Sequence, residues 1–269
     1  MLKFNNVTFK YTEDSPTILD KFNIEFPDNE ISVIMSANGL GKSTILNLCA
    51  RILEPTEGKI VNTNNKISYV FQDDRLIPEL TVYQNLKMIL DLQKVKSDKT
   101  KTIKDKKTKK PIVVHKLRHL TKEECEEKVR KVLKALDIEQ CINFYPSQLS
   151  GSMIKRVALA RAFLHPSQLL IMDEPFNNLD IQLKNEIIEL FIKLWSKSKK
   201  TVLFVTHSAD EALSLGNKIF FLSGKPISKY TELKIPGSIF KRNISSKEMY
   251  QYRNKILNFF IQQTRKEHK

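Results

Sequence analysis

The chain has 269 residues, of which 41% are hydrophobic, and a formal net charge of +15. This length suffices for one large domain or for a domain with an inserted subdomain, and apolar runs such as "LLIM" and "IFFL" are far shorter than the roughly 18 residues that span a bilayer. The opening "MLKFNNVTFK" alternates and lacks an apolar core, so neither a membrane span nor a secretory signal is expected.

The order of the predicted elements indicates a mixed α/β protein. Alternation in "LKFNNVTFKY", "FNIEF" and "EISVIM" predicts three strands, "KSTILNLCARIL" has helical spacing, and "GKIVNT" and "KISYVF" are short strands. From about residue 81 to 163 the pattern is helical, most clearly in "TVYQNLKMILDL", "KEECEEKVRKVLKAL" and "SMIKRVALARAF". Strands return with "QLLIMDE", "TVLFVTH" and "KIFFLS", interleaved with helices around 181–195 and 208–215. The sequence therefore predicts an α/β core with a helical insertion.

One segment inside the helical region carries most of the positive charge. Residues 94–119 contain 11 Lys and Arg against 2 Asp, which accounts for +9 of the +15. So local an excess does not indicate generic nucleic-acid binding, and the segment has no aromatic residue for base stacking. Its composition predicts a mobile, solvated loop, with contact to an anionic lipid surface as the alternative.

The stretch "MSANGLGKSTIL" nearly matches the phosphate-binding pattern G-x-x-x-x-G-K-[ST], with Ser36 in place of its first glycine. It follows a predicted strand and opens a helix, as the motif requires. Gly39 and Gly41 would let the backbone approach phosphates, Lys42 would supply positive charge, and Ser43 would bind Mg²⁺. Ser36 adds a Cβ but removes no N–H donor. The alternative is a glycine-rich turn without a ligand.

The apolar strand "LLIMDEP" ends in two carboxylates, Asp173 and Glu174. Acidic groups at the end of a buried strand are costly unless a cation or a water molecule uses them. Asp173 is predicted to hold Mg²⁺ through water, and Glu174 to polarise the attacking water as a general base. Solvated acids at an ordinary strand end are the alternative, which the upstream loop disfavours.

Further motifs in the same order extend this pattern. "LSGSMIKRVALARAF", "VTHSADEA", "YVFQDD" and "NNLD", together with the loop and the acidic strand end, resemble the motif set of ATP-binding cassette (ABC) ATPases. The resemblance implies a P-loop NTPase core of the ABC type with an antiparallel β subdomain. It places a nucleotide-binding domain at 1–230, with an inserted helical subdomain at about 76–163 that contains the basic insertion at about 94–119. The tail, 231–269, is expected to be helical.

The resemblance also implies roles for individual residues. Tyr11 would stack on adenine, Gln72 would touch Mg²⁺ or the attacking water, and His207 would bind the γ-phosphate. The alternatives are a plain strand tyrosine, a solvated glutamine and a structural histidine. The implied catalytic residues are Glu174, His207, Gln72 and Lys42. The implied metal ligands are Ser43, Gln72 and Asp173. The implied nucleotide-binding residues are Tyr11, Ser36, Ala37, Asn38, Gly39, Leu40, Gly41, Lys42, Ser43, Thr44, Leu149, Ser150, Gly151, Ser152 and Asp180.

The chain departs from the family pattern at two further positions. Ser152 adds a side chain where most members have glycine in the signature that meets the partner subunit's phosphate. Asn29 replaces a common turn glycine, but asparagine tolerates the same left-handed backbone region. Met153 and "FQDDRLIPELTVYQNL" are similar to the branch that imports nitrate, sulfonate and taurine.

The resemblance implies an ATP-hydrolysing importer subunit that uses ATP and Mg²⁺. It would form a head-to-tail homodimer and bind integral membrane permease subunits, with an external solute-binding protein as a further partner and no nucleic acid. The expected place is the cytoplasm, peripheral on the inner face of the membrane, which agrees with the absence of disulfide or metal spacing among Cys49, Cys125 and Cys141. The alternatives are an exporter subunit and a soluble ABC ATPase without a transport role.

Overall fold

The computed structural model describes residues 1–64, 66–104 and 111–267. The strands are β1 Leu2–Phe9, β2 Leu19–Phe26, β3 Ile31–Met35, β4 Glu57–Asn62, β5 Ile67–Val70, β6 Lys94–Lys104, β7 Pro111–His119, β8 Leu169–Asp173, β9 Thr201–Val205, β10 Lys218–Ser223 and β11 Lys229–Lys234. The α-helices are α1 Lys42–Cys49, α2 Val82–Asp91, α3 Lys122–Ala135, α4 Gly151–Leu164, α5 Ile181–Ser198, α6 Ala209–Leu215 and α7 Lys247–Glu267.

The chain divides into two compact units, one of residues 1–75 with 167–269 and one of residues 76–166. The first unit contains a six-stranded sheet in the order β11-β10-β3-β9-β8-β5, parallel except for β11, and a three-stranded antiparallel sheet in the order β2-β1-β4. The predicted α/β core with an antiparallel β subdomain is thereby confirmed.

Burial explains why the strands of the two sheets have different sequence patterns. Strands β3, β8 and β9 are buried along their whole length, which is typical of central parallel strands covered on both faces. Strand β1 alternates buried and partly exposed residues instead, because only one face of its sheet meets the core. Helix α1 joins the two sheets in one hydrophobic cluster, to which it contributes Ile45 and Leu46.

The tail forms helix α7, which packs against the first unit. Met249 and Ile256 are buried, and the ring of Phe259 lies 4.3 Å from that of Phe221 on β10, measured between centroids. Arg253 forms an ion pair with Asp210 of α6. The expected tail helix is thus held by apolar contacts on one face and by one ion pair.

The second unit is built from helices α2, α3 and α4, which pack against one another. Capping boxes begin two of them: Thr81 with Gln84 at α2, and Thr121 with Glu124 at α3. In each, the threonine hydroxyl and the side chain three residues later satisfy two backbone N–H groups that the helix leaves without partners.

The prediction of a loop at 94–119 is wrong for its described residues, which form two paired strands. Strands β6 and β7 form an antiparallel hairpin whose register runs from Lys94 opposite His119 to Lys104 opposite Pro111, with an irregularity between Lys96 and Thr100. The physical reason is that β6 has valine, isoleucine and threonine among its lysines and β7 contains the run Ile112–Val114, and β-branched residues favour extended backbone. Residues 105–110 lie outside the described residues.

Lys200 is a buried cation at the start of β9 and makes stability depend on pH. It is 6% exposed, its Nζ donates to Ser167 Oγ at 2.9 Å, and burial lowers its pKa to about 8. The unfolded chain therefore binds more protons between about pH 8 and the ordinary lysine pKa, so stability rises with pH through that window. We expect Lys200→Met to stabilise the fold at pH 7 by on the order of 2 kcal/mol.

Thermal unfolding of wild type, Lys200→Met and the exposed control Lys197→Met checks this expectation. The midpoint of Lys200→Met should exceed that of wild type by several degrees at pH 7, and the gap should narrow toward pH 10. An equal gap at both pH values would contradict a role for the Lys200 charge.

Candidate functional site

Four neighbouring parallel strands deliver the predicted residues of the first unit to one edge of the six-stranded sheet. Strand β3 leads into the loop at 36–44, β9 leads to His207, β8 ends in Asp173, and Gln72 follows β5. Because the strands are parallel, their carboxyl ends meet at the same edge, which is where α/β sheets bind ligands. The sheet order therefore explains why residues far apart in sequence share one site.

The loop after β3 has a backbone that requires glycine at two positions and not at Ser36. Gly39 and Gly41 have φ angles of 73° and 92°, and a Cβ on Gly41 would lie 2.5 Å from Ile18 Cγ2. Ser36 does not have a positive φ, and its hydroxyl donates to the Ala37 carbonyl at 3.1 Å. The serine that departs from the motif therefore fits the loop without backbone strain.

Lys42 holds the loop from inside. Its Nζ donates to the carbonyls of Ser36 and Ala37 at 3.2 and 3.1 Å. Burial lowers the pKa of Lys42, and the negative charges of Glu174 and Asp173 oppose this shift. Helix α1 begins after Gly41 without a side-chain cap, so the N–H groups of its first turn face the loop ready for an anion.

Ser43 and Asp173 form a pair with the chemistry of a magnesium site. Asp173 is 9% exposed, burial raises its pKa, and hydrogen bonding with the Ser43 side chain opposes that rise. Mg²⁺ takes oxygen ligands and commonly uses one or two protein groups together with water and substrate phosphates. Within the described ranges, no group of three or more His, Cys, Asp or Glu side chains could hold a metal.

Glu174 lies beside His207 at the end of β8. Its Oε1 is 3.1 Å from His207 Nε2, and its other carboxylate oxygen accepts a short hydrogen bond from the Asn177 side-chain amide. The Glu174 side chain is 13% exposed and that of His207 is 44% exposed. The φ of Glu174 is 48°, an uncommon value for a residue with a side chain, and such values cluster at functional sites.

A buried network supports the segment that carries His207. The Thr206 hydroxyl donates to Glu211 Oε2 at 2.6 Å, and the Lys184 ammonium of α5 lies 2.8 Å from Glu211 Oε1. Glu211 is 2% exposed. The backbone N–H of Ser208 donates to the Thr206 hydroxyl, which fixes the turn around His207 on both sides.

Tyr11 lies next to the helix that follows the loop. Its hydroxyl is 2.8 Å from Thr44 Oγ1, and its ring meets Phe9 edge to face at 5.0 Å between centroids. The residue is 57% exposed, which leaves ring surface for contact with a planar ligand.

The signature residues belong to the second unit. Ser150 caps helix α4 by accepting a hydrogen bond from the Met153 N–H, and its Oγ is 3.1 Å from the Ser152 hydroxyl. Gly151 has open space where a Cβ would stand.

Two further predicted residues lie in the first unit. Asp180 caps α5 through the Leu183 N–H at 2.9 Å, and the Gln72 side chain is exposed.

Comparison with known protein families decides the identity of the fold and site. A family model described as "ABC transporter" matches residues 19–177, more than half of the chain. The chain belongs to the ABC transporter family. It is an ABC-type ATPase, and the expected family and activity are confirmed.

Relatives of this ABC protein match it over nearly its whole length. It is 32% identical to the formylaminopyrimidine import ATP-binding protein ThiZ of Halalkalibacterium halodurans, over 95% of this chain and 93% of that protein. It is 30% identical to the aliphatic sulfonates import ATP-binding protein SsuB of Bacillus cereus, over 96% and 95%. The dimeric structure of the ABC transporter cassette MJ0796 has a TM-score of 0.70 at 28% identity, covering 88% of this chain and all of that one.

The structure adds residues to this ABC site that sequence reasoning missed. Asn177 could have been found from its place three residues after Glu174 in "DEPFNN", within reach of the same turn. Glu211 stands four residues after His207 in "THSADE", but nothing in the sequence shows that it is buried. Lys184 has no signal of its own.

None of the helices in the described ranges is long and apolar enough to cross a membrane.

Proposed function

We propose that this ABC ATPase is the ATP-hydrolysing subunit of an importer and drives a separate membrane permease. The observation that carries the proposal is the Glu174–His207 pair at 3.1 Å, on the same sheet edge as Lys42 and the Ser43–Asp173 pair. The direction of transport rests on the relatives, two of which are named as import ATP-binding proteins.

The bound nucleotide would be held mainly by the first unit. Tyr11 offers its exposed ring to adenine, the backbone at 36–44 surrounds the phosphates, and Lys42 exchanges its loop carbonyls for phosphate oxygens. Ser43 and Asp173, with Gln72, would hold Mg²⁺, which neutralises phosphate charge when it is bound. The magnesium ion is an inference from this donor set and from the chemistry of ATPases.

The residues of this chain would then act on the attacking water. Glu174 would accept its proton as the general base, because the carboxylate is largely buried and lies on the same sheet edge as Lys42. The Asn177 amide and the His207 ring hold the two carboxylate oxygens, so the base has a fixed orientation. On ATP binding, the single Nε2–H of His207 would pass from the Glu174 carboxylate to the γ-phosphate.

A second copy would complete each site. The signature residues Leu149, Ser150, Gly151 and Ser152, at the start of α4, would bind the γ-phosphate held by the partner in a head-to-tail homodimer, and Asp180 would lie between the two sites. The dimeric structure of the cassette MJ0796 supports this arrangement. We place the assembled protein at the cytoplasmic face of the membrane, on permease subunits that receive solute from an external binding protein.

The importer proposal has a direct test. The tagged chain is isolated from detergent-solubilised membranes with and without ATP, and the proteins that remain bound are identified. We expect a polytopic permease, and a solute-binding protein that stimulates ATP turnover when added to the reconstituted complex. Recovery of ribosomes alone would support the soluble alternative, and a permease fused to a second cassette would support an exporter.

Ser152 offers a test of the signature itself. If its side chain crowds the partner's phosphate, Ser152→Gly should raise ATP hydrolysis about 2- to 5-fold or tighten the ATP-dependent dimer, the scale of one modest contact. Ser152→Ala separates the hydroxyl, which bonds to Ser150, from the Cβ. Steady-state ATPase rates and dimer formation measure both variants, and clearly lower activity in the glycine variant would contradict crowding.

A further inference from the structure

The basic hairpin, defined as the described residues 94–104 and 111–119, is anchored at its root to two helices of the second unit. Arg118 donates to the Glu124 carboxylate through both terminal nitrogens, at 2.6 and 2.7 Å, and Glu124 also takes part in the capping box of α3. His119 Nδ1 is 3.0 Å from the Asp91 carbonyl at the end of α2. The hairpin root is therefore held between two helices by its last residues.

The charge of the hairpin is available at the surface near this root. Lys94, Lys96 and Lys116 are exposed, and none of the three forms an ion pair with any residue in the described ranges. The single arginine of the segment, Arg118, is already bonded to Glu124. Leu117, between Lys116 and Arg118, is 64% exposed. The charges of these three lysines are therefore not neutralised by any acid in the described ranges.

The composition of the basic hairpin discriminates between classes of anionic partner. Its cations are 6 Lys and 1 Arg, and it has no Phe, Tyr or Trp. Specific protein interfaces are enriched in arginine and aromatic residues and depleted in lysine, and single-stranded nucleic acids need aromatic stacking platforms. Lysines are flexible point charges, and here Val95 lies between Lys94 and Lys96 and Leu117 between Lys116 and Arg118. That combination suits a fluid anionic lipid surface, which attracts charge and accepts small apolar side chains.

We propose that the basic hairpin is a contact surface for anionic phospholipid headgroups at the membrane that holds the permease. The inference rests on the proposed function for its location, since an importer subunit works beside that membrane. The hairpin would hold the subunit at the bilayer independently of the permease contact.

Vesicle binding tests the proposal on the full-length protein. Co-sedimentation is measured with vesicles of phosphatidylcholine alone and of phosphatidylcholine with about one third phosphatidylglycerol, a strongly anionic mixture. The test variant carries Lys94→Gln, Lys96→Gln and Lys116→Gln. The control carries Lys59→Gln, Lys197→Gln and Lys229→Gln, which removes the same charge from exposed positions of the first unit.

Each lysine at an anionic surface contributes roughly fivefold to partitioning. We expect the hairpin variant to bind anionic vesicles about 10- to 100-fold more weakly than wild type, and the control variant to bind nearly as well as wild type. The difference should disappear at about 0.5 M salt, where surface charges are screened. Basal ATP hydrolysis should be unchanged in both variants.

Three outcomes would overturn the proposal. The first is equal vesicle binding by the hairpin and control variants, and the second is equal binding to neutral and anionic vesicles. The third is hairpin-dependent binding of duplex DNA or RNA without a preference for anionic vesicles, which would assign the hairpin to nucleic acid. Normal ATP hydrolysis and permease recovery alongside any of these would leave the importer proposal standing, so the two failures are distinguishable.

Discussion

Replacing Glu174 with glutamine should lower ATP turnover by about 10²–10⁴-fold, the usual contribution of a positioned general base. The amide keeps the shape of the carboxylate and can remain near His207 and Asn177, but it cannot accept the proton of the attacking water. ATP binding should survive, because the loop and Lys42 are untouched. The closed dimer should then accumulate, because the bound ATP is not hydrolysed.

Single-turnover and steady-state ATPase assays measure the loss, and size-exclusion chromatography with Mg·ATP measures the dimer. The exposed acid Glu54, changed to glutamine, serves as the control for loss of one negative charge. Turnover at the wild-type rate in Glu174→Gln would remove Glu174 from its proposed role. Loss of ATP binding would show instead that the substitution disturbs the loop.

Removal of the Glu211 carboxylate should lower the free energy of unfolding more than the other substitutions do. Glu211→Ala leaves the Lys184 ammonium, which is 25% exposed, without its carboxylate at 2.8 Å and deprives Thr206 of its acceptor. Breaking one side of a buried ion pair costs about 3–5 kcal/mol. We expect the free energy of unfolding to fall toward the lower end of that range, because Lys184 can reach water.

A double replacement distinguishes the ion pair from simple loss of packing. Lys184→Met with Glu211→Leu removes both charges while filling the volume, and should recover most of the stability lost in Glu211→Ala. Chemical denaturation of the three proteins gives the comparison. If the double variant were no more stable than Glu211→Ala, the cost would lie in the Thr206 hydrogen bond and the turn around His207.

Much of the fold and most of the site follow from the local character of the sequence. The apolar runs that became β3, β8 and β9 are buried on both faces, so composition alone marks them as central strands. The predicted catalytic groups could be placed together because each follows a strand of the same parallel sheet. Asn29, predicted to tolerate a left-handed turn, has a φ of 58°.

The remaining features depend on tertiary context. The basic hairpin was mistaken for a loop because charge dominates its composition, whereas pairing between its strands depends on the β-branched residues of both strands. The burial of Glu211 and its contact with Lys184 join α5 to α6, and no local pattern reports on a contact between two helices. The fit of Ser36 depends on backbone angles, which a motif written in residue letters does not contain.

The two hydrogen bonds from Lys42 to backbone carbonyls have a consequence for nucleotide exchange. The ammonium ties Ser36 and Ala37 to one nitrogen atom through these hydrogen bonds. In the proposed function, capture of phosphate would be an exchange of hydrogen-bond acceptors at that nitrogen atom. Release of the spent nucleotide would return the same nitrogen to its own backbone, so the binding loop would not have to be rebuilt between product and fresh substrate.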